Sequence, residues 1–303
     1  MRAFLTLAGT AAVLSVTGCV ETEETWTLNP DGSGKVSYHM KMINAASALG
    51  DSLQGLGEAL DPKEIAKTQA KQLIENSDGI DAWSDVHYEV GDDGKLHFRG
   101  TAYFSDLSKV KIGDTELSGV TQLSQTKDGN LKLAFAFPEK EDPVEDEDAA
   151  EPDLSDAEIR QQVADLKGQW IFAKGIMTAV LNEMKSKSNL KLPGEIVSFQ
   201  TFQKKSDREV TLEITGANII QAMDKMMSND EVLIESLRKG INPLDNAEGG
   251  IPFEPEQFMD EILGGEELPE VVFKPGEPLF DFAKEIEEAR KNPGPAFKEL
   301  IAD

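Results

Sequence analysis

Cysteine is almost missing from this chain: its 303 residues include one, at position 19. A lone cysteine excludes an intrachain disulfide framework and any metal site built on a cysteine cluster. Basic residues are scarce as well, with 30 Lys and Arg against 56 Asp and Glu and a formal net charge of −26. Such an excess of negative charge repels phosphate backbones and anionic headgroups. It argues against nucleic acid as a partner and against attachment to an acidic membrane through a basic patch. Histidine is limited to His39, His87 and His97. The apolar run Ala3 to Val16 falls short of the roughly 20 residues that a spanning helix needs. What the chain does have is apolar substance: hydrophobic residues and the 25 glycines together make up about 47% of it, the range of a folded body rather than of a disordered acidic tail. Its length fits two domains or one larger body with a tail.

The amino terminus reads as an export signal, with Arg2 as the positive n-region and Ala3 to Val16 as a short apolar core. The boundary Val16-Thr17-Gly18-Cys19 resembles the lipobox of bacterial lipoproteins, an aliphatic residue and two small residues ahead of a cysteine. That resemblance implies cleavage between Gly18 and Cys19 and acylation of Cys19 by palmitate-type chains. At about 0.8 kcal/mol per buried methylene, two or three chains hold a protein to a membrane without any basic patch. Val20 stands where Asp marks inner-membrane retention in enteric lipoproteins, which favours the outer membrane. The implied location is the bacterial cell envelope, lipid-anchored on the periplasmic or outer-membrane side. The competing reading is an ordinary secretory signal with a cysteine at its end.

Beyond Cys19, Glu21 to Leu28 and Lys35 to Met42 alternate in the period-2 manner of strands around Asn29-Pro30-Asp31-Gly32-Ser33-Gly34, the pattern of a β-hairpin. Residues Ile43 to Leu60 are rich in Ala, Ser and Gly and weakly helical. Asp61-Pro62 then gives an N-cap and an N1 proline to a helix whose Ile65, Ala66, Ala70, Leu73 and Ile74 share one face. Two more hairpins follow, Ala82 to Val90 with Lys95 to Phe104, and Val120 to Thr126 with Leu131 to Phe137. The stretch Glu139 to Asp153 holds nine acidic residues and two prolines against one lysine, and like-charge repulsion keeps it extended. After it, Ser155-Asp156-Ala157-Glu158 matches a capping box for one long helix, with kinks expected at Gly168 or Gly175. Strand-like runs at Leu190 to Phe202 and Glu209 to Thr215 flank a polar turn. A helix at Gly216 to Met227 follows, then one opened by Ser228-Asn229-Asp230-Glu231, and a last one at Pro278 to Arg290.

The fold class is α+β: an antiparallel, hairpin-rich sheet with packed helices, and a second helix-flanked β-hairpin region after an acidic linker. The expected organisation is a removable signal peptide at 1–18, a hairpin-rich region at 19–138, the acidic linker at 139–153, a helix and hairpin region at 154–241, and a Pro/Gly/Glu-rich tail at 242–303.

Motifs that carry chemistry are weighed against plain structure. Gly50-Asp51-Ser52-Leu53 matches the nucleophile block of GDSL esterases and lipases, yet the family's activating histidine near the carboxyl terminus has no counterpart, because the last histidine is His97. Asn29, Asp31, Ser33, Gly34 and Lys35 fall at EF-hand loop positions, but position 12 is Met40 rather than Glu, so a turn is the better reading. A four-residue loop at 91–94 puts His87 opposite Phe98 and His97 opposite Tyr88, on opposite sheet faces, with no third ligand. Ile219, Ile220, Met223, Met226 and Met227 form a soft stripe that reads as core before it reads as a binding groove. No catalytic, cofactor or metal residue is assigned.

Leu192-Pro193-Gly194-Glu195-Ile196-Val197, followed by a second strand at Glu209 to Ile214, resembles the Leu-Pro-Gly strand and partner strand of LppM-type envelope lipoproteins. The resemblance carries no catalytic residues with it. The functional expectation is an envelope lipoprotein that acts as a non-catalytic binding or structural component. Its partners are the membrane, through acylated Cys19, and a protein or small ligand. The alternative is a carboxylate-dependent hydrolase of the envelope, since two Asp or Glu suffice for glycosidic chemistry.

Overall fold

The computed structural model of the chain describes residues 19–42, 61–113, 120–136, 155–240, 242–244, 255–264 and 268–302. The expected signal peptide, the segment 43–60 with Gly50 to Leu53, and the acidic linker lie outside them. The described strands are β1 (Cys19–Leu28), β2 (Gly34–Met42), β3 (Ala82–Val90), β4 (Leu96–Phe104), β5 (Val120–Gln125), β6 (Leu131–Ala136), β7 (Lys185–Lys191), β8 (Ile196–Gln200), β9 (Gln203–Ser206), β10 (Glu209–Thr215) and β11 (Glu270–Phe273). The described helices are α1 (Pro62–Glu75), α2 (Asp156–Leu181), α3 (Gly216–Ser228), α4 (Asp230–Arg238), α5 (Pro255–Ile262), α6 (Phe282–Lys291) and α7 (Pro295–Ile301). The fold is α+β, and the chain divides into a sheet unit and a helical unit, each assembled from separate stretches of sequence.

The sheet unit holds a seven-stranded sheet in the order β3-β4-β2-β1-β7-β10-β9 and a four-stranded sheet in the order β5-β6-β11-β8. Pairing in the larger sheet is antiparallel from β3 through β1, while β1 and β7 run parallel. Strand alternation fixes the faces. Trp26 lies opposite Val36, Val36 opposite Ala102, and Met40 opposite Phe98, so one face is apolar across β1, β2 and β4. That inner face shares one core with Ala70 of α1, Leu133 of β6, Val271 and Phe273 of β11, and Leu300 of α7. Each large side chain removed from water there contributes about 1.5–3 kcal/mol.

Two departures from the sequence expectation have a clear physical cause. The run 190–202 is not one strand: β7 ends at Lys191 and β8 begins at Ile196, in different sheets. The break is Leu192-Pro193-Gly194, where the backbone passes against Lys274-Pro275-Gly276. A Cβ on Gly194 would lie 1.7 Å from the Lys274 carbonyl oxygen, and one on Gly276 2.1 Å from that of Pro193, so both positions require glycine. The second departure is β11, four residues in the Pro/Gly/Glu-rich tail. It occupies the space between β6 and β8 and pairs antiparallel with both.

In the helical unit, α2 is one continuous helix opened by a complete capping box. Ser155 Oγ accepts from the Glu158 N–H, and the Glu158 carboxylate accepts from the Ser155 N–H at 2.9 Å. Ile159, Val163, Leu166 and Trp170 of α2 meet Ala222, Met223, Met226 and Met227 of α3, Leu233 and Leu237 of α4, and Phe258 and Ile262 of α5. The methionine stripe is therefore core. The cap of α4 is Asn229, whose side chain accepts from Glu231 N and Val232 N.

Candidate functional site

Cys19 is the first residue of β1 and pairs with Met42 of β2; Gly18 lies outside the described residues. β1 is central to the seven-stranded sheet, between β2 and β7.

Glu21, Glu23, Thr25 and Thr27 of β1 lie on the outer face of the sheet, among a ladder of opposite charges. Glu21 meets Lys41 of β2 at 2.6 Å, Glu23 meets Lys187 of β7 at 2.9 Å, and Lys185 of β7 meets Glu213 of β10 at 3.0 Å. The Lys41 ammonium holds the Glu21 carboxyl below the usual carboxylate range, and Lys187 does the same for Glu23. Cross-strand pairs of this kind select the register of neighbouring strands. At one end of the outer face α6 packs down, with Ile286 and Ala289 against Tyr103. There Lys35 pairs with Glu285 at 2.6 Å and lies 4.4 Å from the Phe280 ring centroid.

The histidines correct the sequence reading. The loop joining β3 and β4 has five residues, 91–95, closed by the Gly91 N–H donating to the Lys95 carbonyl. Val90 therefore lies opposite Leu96, Tyr88 opposite Phe98 and His87 opposite Arg99. One extra loop residue moves His87 to the face that carries His97. His39 lies opposite Arg99 from the other side, with its ring 6.1 Å from that of His97. Burial lowers the pKa of His39, and the nearby Lys41 and His97 lower it further. His97 Nε2 is 3.0 Å from Asp93. Among the described residues no group of three or more His, Cys, Asp or Glu side chains is arranged to hold a metal ion.

The EF-hand-like segment is a turn whose side chains are committed to the fold. Asp31 Oδ1 accepts from the Ser33 N–H at 3.0 Å and the Ser33 hydroxyl at 2.7 Å. Asn29 Nδ2 donates to Ser33 Oγ and to the Phe280 carbonyl, while Asn29 Oδ1 accepts from the Leu279 N–H at 2.9 Å. The first hairpin thus clasps the segment that leads into α6.

Glu24 is a feature that sequence reasoning passed over. It points to the inner face, beside Trp26 and opposite Tyr38. Its carboxylate accepts from Trp26 Nε1–H at 2.8 Å and from the Ser188 hydroxyl at 3.1 Å. Burial raises its pKa, and these two donors offset the effect only in part. An acidic residue at a position whose neighbours i+2 and i+4 are Trp26 and Leu28 was the available signal.

Two hollows occur. A 530 Å³ cleft beside α6 is lined by Asp81, Ser105, Phe282, Ile286, Glu287 and Arg290, among others. Its carboxylates are both engaged: Asp81 accepts from the Ser105 N–H at 2.6 Å and lies 3.8 Å from Arg290, and Glu287 pairs with Lys291. A 250 Å³ hollow between α2 and α3 is lined by Thr178, Asn182, Gly216, Ala217, Ile220, Gln221 and Asp224. Asp224 is held there by Trp170 Nε1–H at 2.8 Å and by Lys174.

No family model and no curated relative matches the sequence. Solved structures that align with the chain include the NMR structure of the Mycobacterium tuberculosis LppM folded domain, at 13% identity and a TM-score of 0.27, over 65% of this chain and 84% of that one. At that score no property of LppM is carried over.

Proposed function

We propose that this chain is an envelope lipoprotein, cut before Cys19, acylated on that residue and held to a membrane by the acyl chains. The observation that carries the reading is Val16-Thr17-Gly18-Cys19 at the end of a short apolar run, in a sequence with no other cysteine. No helix among the described residues is long and apolar enough to cross a membrane. The anchored body acts as a non-catalytic binding or structural component.

The anchor is tested by the mass of the chain recovered from cells that express Cys19→Ser. Loss of the acyl mass carried by the wild-type chain is expected; a variant that keeps the wild-type mass contradicts the proposal. Cross-linking in intact cells tests the binding role. Capture of a defined second component is expected, and recovery of the chain alone argues against it.

A further inference from the structure

We propose that the outward face of α2 is a second membrane contact, which lies in the interface of a zwitterionic lipid surface. Ile171 and Phe172 are each 77% exposed and Ile176 is 42% exposed, although all three are large and apolar. Gly168, Ile171, Phe172, Gly175, Ile176 and Ala179 recur at i, i+3, i+4, i+7, i+8 and i+11, one side of the helix, and all are exposed. The side facing the core is a different one, formed by Leu166, Trp170 and Met177. From Gly168 to Asn182 the one charged residue is Lys174. Lys174 and Lys167 are turned aside and engaged by Asp224 and Asp230, so the outward stripe carries no charge. A Cβ at Gly168 or Gly175 would meet nothing within 4 Å, so packing inside the chain does not require these two helix-weakening residues. They leave the helix surface low between Ile171, Phe172 and Ile176.

The occupant follows from charge and area. A second copy would bring the same net charge of −26 to this face, and the stripe has no ionic group to offset the repulsion. Three large side chains also fall well below the roughly 800 Å² per partner that a stable protein interface buries. A lipid interface needs no such area and no matched polar partners. It accepts a few apolar side chains from a helix that lies in its plane. The acidic body disfavours anionic headgroups, which leaves zwitterionic ones. The setting rests on the lipoprotein reading, which keeps the chain at a membrane; the contact itself does not require the acyl group.

The test is therefore run without the anchor. The mature chain, expressed without residues 1–18 and carrying Cys19→Ser, is mixed with phosphatidylcholine vesicles and floated. Flotation that persists in 0.5 M NaCl is expected, with the bound fraction reduced at least tenfold by Phe172→Asp or Ile171→Asp. Val197→Asp, which alters an exposed apolar residue on β8, is expected to leave binding unchanged. Thermal melts confirm that each variant is folded. No flotation of the Cys19→Ser chain, or equal flotation of the Phe172→Asp variant, overturns the proposal. So does a self-association lost in Phe172→Asp without vesicle binding, which would assign the face to protein. Because Cys19 is absent throughout, none of these failures touches the acylation reading, which the mass of the chain from cells tests separately.

Discussion

Glu24 and His39 are both perturbed by burial, and they move stability in opposite directions with pH. The folded-state pKa of Glu24 lies above its ordinary value near 4.5. The folded chain therefore keeps a proton that the unfolded chain has released, and stability falls as pH rises above 4.5. Glu24→Gln keeps an acceptor for Trp26 and removes the charge. It is expected to stabilise the chain at pH 7 by roughly 1 kcal/mol and to have little effect near pH 4, read by urea denaturation at both values; an equal shift at both would contradict the assignment. His39 has a folded-state pKa below its ordinary 6.5. Acidification below 6.5 protonates the unfolded chain first and costs stability, and His39→Gln is expected to flatten that slope as pH falls below 6.5. Glycines separate in the same way. Gly194→Ala drives a Cβ into the Lys274 carbonyl and is expected to cost more than about 3 kcal/mol, whereas Gly168→Ala or Gly175→Ala on the open face of α2 is expected to add up to about 1 kcal/mol each. Thermal melts of the three variants check the contrast.

At the scale of elements, what was legible in the sequence is what local chemistry determines. Alternation and Gly-containing turns announced the β1–β2, β3–β4 and β5–β6 hairpins. Asp61-Pro62 and the Ser155 capping box announced α1 and α2 at their observed starts. Gly168 and Gly175 do not interrupt α2, which runs as one helix over Asp156–Leu181. Long-range choices were not legible. Nothing local tells Ile196 to leave the sheet of β7, or four residues of the tail to enter between β6 and β8. The histidine geometry depended on one loop residue, Lys95, and so on a one-place register that spacing alone did not settle. The clasp between Asn29 and residues 279–280 was equally invisible, since its partners are some 250 residues apart. Asn29→Ala is expected to leave the Leu279 N–H without its acceptor, to cost about 1–3 kcal/mol, and to speed amide exchange in α6 more than in α2; uniform exchange changes would contradict a local clasp.

For the whole molecule, the excess of acid is a load on stability as much as a guard against aggregation. The ion pairs of the outer face relieve it locally, at Glu21, Glu23 and Glu213, but a net charge of −26 remains. Screening is therefore expected to raise the melting temperature between 20 mM and 0.5 M NaCl, and a fall over that range would mean that the ion pairs outweigh the repulsion. The same negative charge gives the body no electrostatic attraction to a membrane, so the account depends on Cys19. The most direct test is the intact mass of the chain recovered from the membrane fraction of an expressing bacterium. The account predicts a chain beginning at Cys19 that carries added diacylglyceryl mass on that residue. A chain that retains residues 1–18, or one that begins at Cys19 or elsewhere with no acyl mass, would contradict it.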